Sequence, residues 1–170
     1  SVFLFTPGVS FFADFDGEPG SFFYRPGVWL SWNVEDIYQG VARHCDEASA
    51  GHMKVIGIML DSPFGYYLEL GKVDMSFQGG PALYLRVPLY TAQEGTGEPK
   101  DFWKAYYGAA QFLYLSLGIF AEFPAGSTTD MRTGFRFYQP FSNFWTNAPL
   151  THNMNMGLVV SFKFDLMENE

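Results

Sequence analysis

Period-two alternation predicts an all-β chain: a closed, antiparallel, eight-stranded β-barrel formed by residues 1–170 as one domain. Three observations carry this expectation. Aromatic residues reach 19% while charged residues stop at 16%, well under the ~25% usual in soluble domains. Mean hydropathy is −0.02, and no stretch approaches the roughly 18 to 20 consecutive apolar residues of a spanning helix. Segments in which apolar and polar side chains alternate recur along the chain, separated by turns rich in Gly and Pro.

The first strand places Phe3, Phe5, Val9, Phe11 and Phe15 on one face, with Thr6, Gly8, Ser10 and Asp14 on the other. Asp16-Gly17-Glu18-Pro19-Gly20 supplies a hairpin turn. The second strand sets Phe22, Tyr24, Val28, Leu30, Trp32 and Val34 against Ser21, Arg25, Gly27, Ser31 and Asn33. Alternation lapses over 35–51, where a short helix or a long loop is expected. It resumes over 55–60, turns at Ser62-Pro63-Phe64-Gly65, and continues over 66–77. Leu68 and Leu70 share one parity while Val73, Met75 and Phe77 share the other, which predicts a bulge near Gly71-Lys72.

After Gln78-Gly79-Gly80, a fifth strand puts Leu83, Leu85, Val87 and Leu89 opposite Tyr84, Arg86 and Tyr90. A polar loop at 93–100 precedes the longest alternating run. That run sets Trp103, Ala105, Tyr107, Leu113, Leu115, Leu117, Ile119 and Phe123 against Lys104, Tyr106, Tyr114, Ser116, Gly118 and Glu122. In the seventh strand Met131, Phe135 and Phe137 oppose Asp130, Arg132, Gly134 and Arg136. An aromatic loop at 141–147 leads to the eighth, where Met154, Met156, Leu158, Val160, Phe162, Phe164 and Leu166 alternate with polar residues. The even count suits a closed antiparallel barrel.

The facing of charge predicts which side is in. Asp14, Arg25, Arg86, Lys104, Glu122, Asp130, Arg132, Arg136, Lys163 and Asp165 all fall on the less apolar face. An eight-stranded barrel has interior space just sufficient for side chains. Stripes of Phe, Leu, Ile and Trp would overfill it, whereas Gly, Ala, Ser, Asn, Tyr and a few charges fit. The apolar face is therefore expected outside, against the lipid of a bacterial outer membrane. Arg25, Arg86, Glu122, Arg132, Arg136, Lys163 and Asp165 are the expected polar cluster of the lumen, an interlocked plug because buried charges must be paired. The alternative is a basic lumen that binds or passes small anions, since Arg25, Arg86, Lys104, Arg132, Arg136 and Lys163 all face it.

The final strand, Val160-Ser161-Phe162-Lys163-Phe164-Asp165-Leu166, resembles the closing strand that outer-membrane proteins present to their assembly machinery. It departs from that pattern in its tail, Met167-Glu168-Asn169-Glu170, where a terminal aromatic residue is usual. The layout of nearly all 170 residues resembles the OmpA, OmpX and OmpW class of small outer-membrane barrels. That resemblance implies lipid and lipopolysaccharide as surroundings; an exported chain beginning at Ser1 would already have lost its signal peptide.

Other chemistries find little in the sequence. A net charge of −8 argues against a nucleic-acid surface. Cys45 is the single cysteine, which rules out an intramolecular disulfide and CxxC-type metal sites. His152 near Ser142 and Asn153 is the candidate for a lipid A-modifying enzyme, but the G-x-S-x-G elbow is missing. His44 and His52 flank Cys45, Asp46 and Glu47, a spacing better explained by a solvated loop than by a metal site. No catalytic, metal or cofactor-binding residue is therefore assigned. Phe141, Phe144 and Trp145 fit an interfacial aromatic girdle. The expected role is that of a structural, adhesive or complex-forming envelope protein that meets its partners through 35–51 or the barrel wall. A narrow porin or carrier, or a lipid A-modifying enzyme, is the alternative.

Overall fold

The computed structural model describes residues 8–15, 20–38, 41–45, 53–89, 99–126, 129–147, 149–150 and 153–164. In chain order the strands are β1 (Gly8–Phe12), β2 (Phe22–Tyr24), β3 (Gly27–Tyr38), β4 (Val41–His44), β5 (Met53–Asp61), β6 (Phe64–Glu69) and β7 (Asp74–Leu89). Helix α1 (Pro99–Tyr107) follows, then β8 (Leu113–Pro124), β9 (Thr129–Pro140) and β10 (Asn155–Phe164). All strands belong to one antiparallel sheet, curled into a half-barrel. The alternating aromatic and β-branched residues that suit a pleated, two-faced surface supply its wall.

The main ladder runs β1-β3-β5-β7-β8-β9-β10, so among the described residues it links seven strands where the alternation predicted eight. Two differences account for the change, and a third shortens a strand. Ser62-Pro63 is no hairpin: β5 and β6 both pair with β7, and the chain only kinks between them. The reversal comes instead at 70–73, where the Leu70 amide donates to the Val73 carbonyl at 3.1 Å and Gly71 takes a φ of 85°. This turn, rather than a bulge, produces the parity change. Gln78-Gly79-Gly80 then lies inside β7, a strand of 16 residues.

The third difference is α1. Phe102, Ala105 and Tyr106 form a helical i, i+3, i+4 stripe that packs on Ala42, Met53 and Val55. Trp103 and Tyr107, four apart, stack at 5.4 Å. The period is 3.6 here, so the predicted long strand begins only at Leu113, and Lys104 sits exposed on the helix rather than on the barrel wall. The segment at 35–51 is also more regular than expected: β3 runs on to Tyr38 and β4 pairs back on it. Glu35 lies opposite Met53 of β5 and also opposite His44 of β4, so β4 shares the edge of β3 that β1 occupies. Residues 39–40 and 46–52 lie outside the described residues.

The two faces of the sheet differ as the charge pattern predicts. Phe11, Trp32, Phe135 and Leu158 are 66%, 54%, 59% and 66% exposed on the convex side. Arg25, Ser31, Ser76, Arg86, Ser116, Arg132 and Arg136 are buried on the concave side. Aromatic packing fills the rest: Trp29 leans on a cluster of Met59, Ala82, Tyr84, Tyr114 and Tyr138.

Gly134 is where the wall is tightest. A Cβ there would meet the Ile119 carbonyl oxygen and lie 2.7 Å from the Phe120 Cα, and these are backbone atoms that cannot swing aside. Gly157→Ala adds its methyl to open space. Gly134→Ala is thus expected to destabilise the folded protein by about 1–3 kcal/mol in denaturant titration, and Gly157→Ala to leave it within about 0.5 kcal/mol of the parent. Equal midpoints for the two variants would contradict the close approach.

Candidate functional site

The inward residues build three ion-pair groups along the axis of the half-barrel. At one end, Arg25 sits at the break between β2 and β3. Its Nε donates to Asp14 Oδ1, an Nη donates to the Tyr67 hydroxyl, and Nη1 donates to Glu122 Oε1 at 2.9 Å. Glu122 also accepts from Ser76 Oγ at 2.8 Å and from the Tyr67 hydroxyl at 3.3 Å. Lys163 Nζ approaches Asp14 Oδ2 at 3.7 Å. The Arg25 guanidinium also lies 4.6 Å from the Phe23 ring centroid, so its planar face has an aromatic partner while its edge binds carboxylates.

The middle group centres on Asp61, the last residue of β5. One oxygen, Oδ2, accepts from Arg136 Nη1 at 3.0 Å, Tyr138 Oη at 3.1 Å and Ser116 Oγ at 3.2 Å. At the far end Glu35 is fully buried. Its Oε1 lies 3.4 Å from His44 Nδ1 and its Oε2 lies 3.7 Å from Arg86 Nη1. Arg86 stacks 4.7 Å from the centroid of Tyr106 and donates through Nη2 to the Gln111 carbonyl at 3.3 Å. Tyr107 donates its hydroxyl to the Arg86 carbonyl at 3.1 Å, which ties α1 to β7. Burial, reinforced by the charge of Glu35, pushes the Tyr106 phenol up, so it remains a neutral hydroxyl at any physiological pH.

Of the predicted lumen residues, Arg25, Arg86, Arg132 and Arg136 are buried, Glu122 is mostly covered, and Lys163 keeps 27% of its side chain exposed. Asp165 lies outside the described residues. Arg86 stands apart, while the other described ones lie next to one another: Glu122 is opposite Arg132 in the ladder, Arg132 and Arg136 share the Phe120 ring, and Lys163 reaches Arg25 through Asp14. Arg25 meets Glu122, whereas Arg86 and Arg136 each pair with a carboxylate that was not on the predicted list, Glu35 and Asp61. Extending the inward parity of Ser31 and Asn33 by one step would have found Glu35, and the parity of Val55, Gly57 and Met59 leads to Asp61. Each lay just where the alternation was taken to end.

The remaining candidates gather less. His44 contacts Glu35, but His52, Asp46 and Glu47 lie outside the described residues. Among the described residues no group of three or more His, Cys, Asp or Glu could hold a metal ion. Ser142 is buried in the short 3-10 turn Phe141–Phe144, and His152 is outside the described residues. Phe144 and Trp145 are exposed, with Phe141 stacked on Trp145 at 6.5 Å.

Removing Arg25 would strand Asp14 and Glu122 as charges without a guanidinium. Arg25→Met is expected to cost about 3–5 kcal/mol, the range for breaking a buried ion pair from one side. Lys54→Gln, on the exposed face of β5, should change stability by under about 0.5 kcal/mol. Denaturant unfolding followed by tryptophan fluorescence reads both, and a loss below about 1 kcal/mol for Arg25→Met would mean the pair behaves as a solvated one. No protein-family model matches the chain, nor does any curated protein or solved structure, so its function must be argued from these groups and the wall that encloses them.

Proposed function

We propose that this chain is a bilayer-spanning β-barrel of a bacterial outer membrane, with an ion-paired interior that plugs it, acting as a non-enzymatic structural, adhesive or complex-forming envelope component. The observation that carries this is the inversion of the two faces. Ionisable side chains are buried in pairs on the concave side while Phe, Leu, Val, Ile and Trp cover the convex side. Water penalises both halves of that arrangement: an apolar patch of this extent seeks cover, whereas hydrocarbon accepts it.

The dimensions agree with lipid. β8, β9 and β10 have 12, 12 and 10 residues, against the 9 to 11 that cross a bilayer when tilted. Exposed charges stand at the ends of the wall, Lys54 on the outer face at one and Glu69 and Lys72 at the 70–73 turn at the other, with the apolar belt between them. Exposed Trp103, Phe144 and Trp145 lie beyond strand ends, where a headgroup girdle would place them. A closed wall of eight strands belongs to this proposal. The ladder supplies seven, and side chains already cross between its two ends: Lys163 to Asp14 at 3.7 Å and Asn153 Nδ2 to the Ala42 carbonyl at 2.6 Å.

Three measurements test it. Protein folded in detergent is expected to migrate differently on gels boiled and unboiled, and to stay silent in planar-bilayer conductance because ion pairs fill the lumen. Leu158→Arg, on the outer face, should weaken folding into lipid vesicles by about 2–4 kcal/mol if its position lies near the bilayer midplane. A chain that folds in plain buffer, with Leu158→Arg improving its solubility and leaving stability intact, would refute the lipid-facing assignment.

A further inference from the structure

Arg132 stands apart from the other inward guanidiniums. It makes no ion pair among the described residues, and the nearby carboxylates are occupied: Asp14 and Glu122 by Arg25, Asp14 also by Lys163, and Asp61 by Arg136. Arg132 is 3% exposed and lies between the Phe12 and Phe120 rings, 4.2 and 4.6 Å from their centroids. Its Nε donates to Ser161 Oγ at 3.2 Å, but its buried Nη1 has no hydrogen-bond partner.

One turn of pleat pairs further along β9, Arg136 shows the same feature. Its Nη1 serves Asp61, while its Nε is buried and unpartnered, and its guanidinium lies 5.4 Å from the centroid of the same Phe120 ring. Across the ladder, Ser161 is opposite Arg132 and Gly157 is opposite Arg136. A Cβ on Gly157 would meet no atom within 4 Å, so space is left beside Arg136. Two cationic side chains therefore flank one ring, each with a spare buried donor, next to room on the neighbouring strand. Buried donors are rarely left unmade, and a guanidinium is the cation that sheds its hydration most readily.

We propose that Arg132 and Arg136 jointly bind one small, singly charged anion inside the barrel, in the space beside Gly157. Phe12, Phe120 and Val159 give the space apolar walls, and the carboxylates beside it, Glu122 opposite Arg132 and Asp61 on Arg136, are already engaged by Arg25 and Arg136. That favours a weakly hydrated monovalent ion such as bromide over sulfate, whose greater hydration is lost at greater cost. The site lies within the wall, so its failure would leave the lipid-facing assignment untouched.

Bromide is the probe. Crystals of the detergent-folded protein soaked in bromide should show an anomalous peak within hydrogen-bond reach of Arg132 Nη1 and Arg136 Nε. In solution, replacing gluconate by bromide at constant ionic strength should raise stability saturably, with the folded-to-unfolded ratio up about eleven-fold at ten times the dissociation constant. Gly157→Val fills the space without altering charge and suits a strand; it should fold in gluconate and lose the bromide response. Arg132→Gln should lose it too. A bromide response unchanged in Gly157→Val, or no anomalous density between the two guanidiniums, would overturn the site.

Discussion

Four guanidinium groups, those of Arg25, Arg86, Arg132 and Arg136, are enclosed by one curled sheet, and most other inward residues are placed to serve them. A charge taken out of water costs several kcal/mol after relaxation, and only a close partner of opposite sign recovers it. Asp14, Glu122, Asp61 and Glu35 fill that role for Arg25, Arg136 and Arg86 from four different strands or strand ends. Tyr67 and Ser76 then add hydrogen bonds to Glu122, and Ser116 and Tyr138 add them to Asp61. Register follows from the same demand. Sliding β9 by one residue would turn Arg132 and Arg136 out into the apolar belt and Phe135 inward, which neither face can accept.

Prolines stand beside these ion pairs: Pro26 and Pro63 lie at the breaks between β2 and β3 and between β5 and β6, Pro81 lies within β7, and a proline has no N–H to give to the ladder. The carbonyls stay in use: Pro26 accepts from Ala13 at 3.0 Å, Pro63 from Arg25 at 3.1 Å and Pro81 from Ser62 at 3.1 Å. A line of prolines thus crosses the sheet beside the Arg25 group. Asp61 and Arg25 nevertheless keep the inward parity of β5 and β3, so both side chains enter the interior on the regular pleat.

Facing was largely legible in the sequence, because a period of two cannot be counterfeited over a long strand. Phe135, Leu158 and Val160 emerge exposed and Arg132 and Arg136 buried, as their parity required. Connectivity was less legible. Trp103, Ala105 and Tyr107 satisfy a period of two and, over so short a stretch, Phe102, Ala105 and Tyr106 satisfy 3.6 equally well. Packing on Met53 and Val55 decides for the helix, and that contact is invisible before the fold exists. Ser62-Pro63 carries a turn composition but is used as a kink, since β7 is long enough to pair both flanking segments. The missing carboxylates follow from these boundaries. Glu35 and Asp61 each lie one residue past the alternating run that predicts their strand, although β3 continues to Tyr38.

With the charges inside, the hydrophobic effect cannot hold this fold together in the usual way. Among the described residues the buried apolar groups gather in two modest clusters, one beneath α1 and one around Tyr84, with Phe23, Phe120 and Val159 outside them. What remains is the backbone ladder, and its contribution depends on the medium. In water an unpaired strand edge finds solvent; in hydrocarbon every unmatched N–H or C=O costs several kcal/mol. If the proposed lipid surrounds the convex face, the edges of β1 and β10 that are unpaired among the described residues become the least favourable feature of the sheet. The long-range contacts from Lys163 to Asp14 and from Asn153 to Ala42 draw those edges together from opposite ends. Closure and lipid exposure are thus one requirement: a sheet with this outer face is stable in a bilayer only when its edges meet.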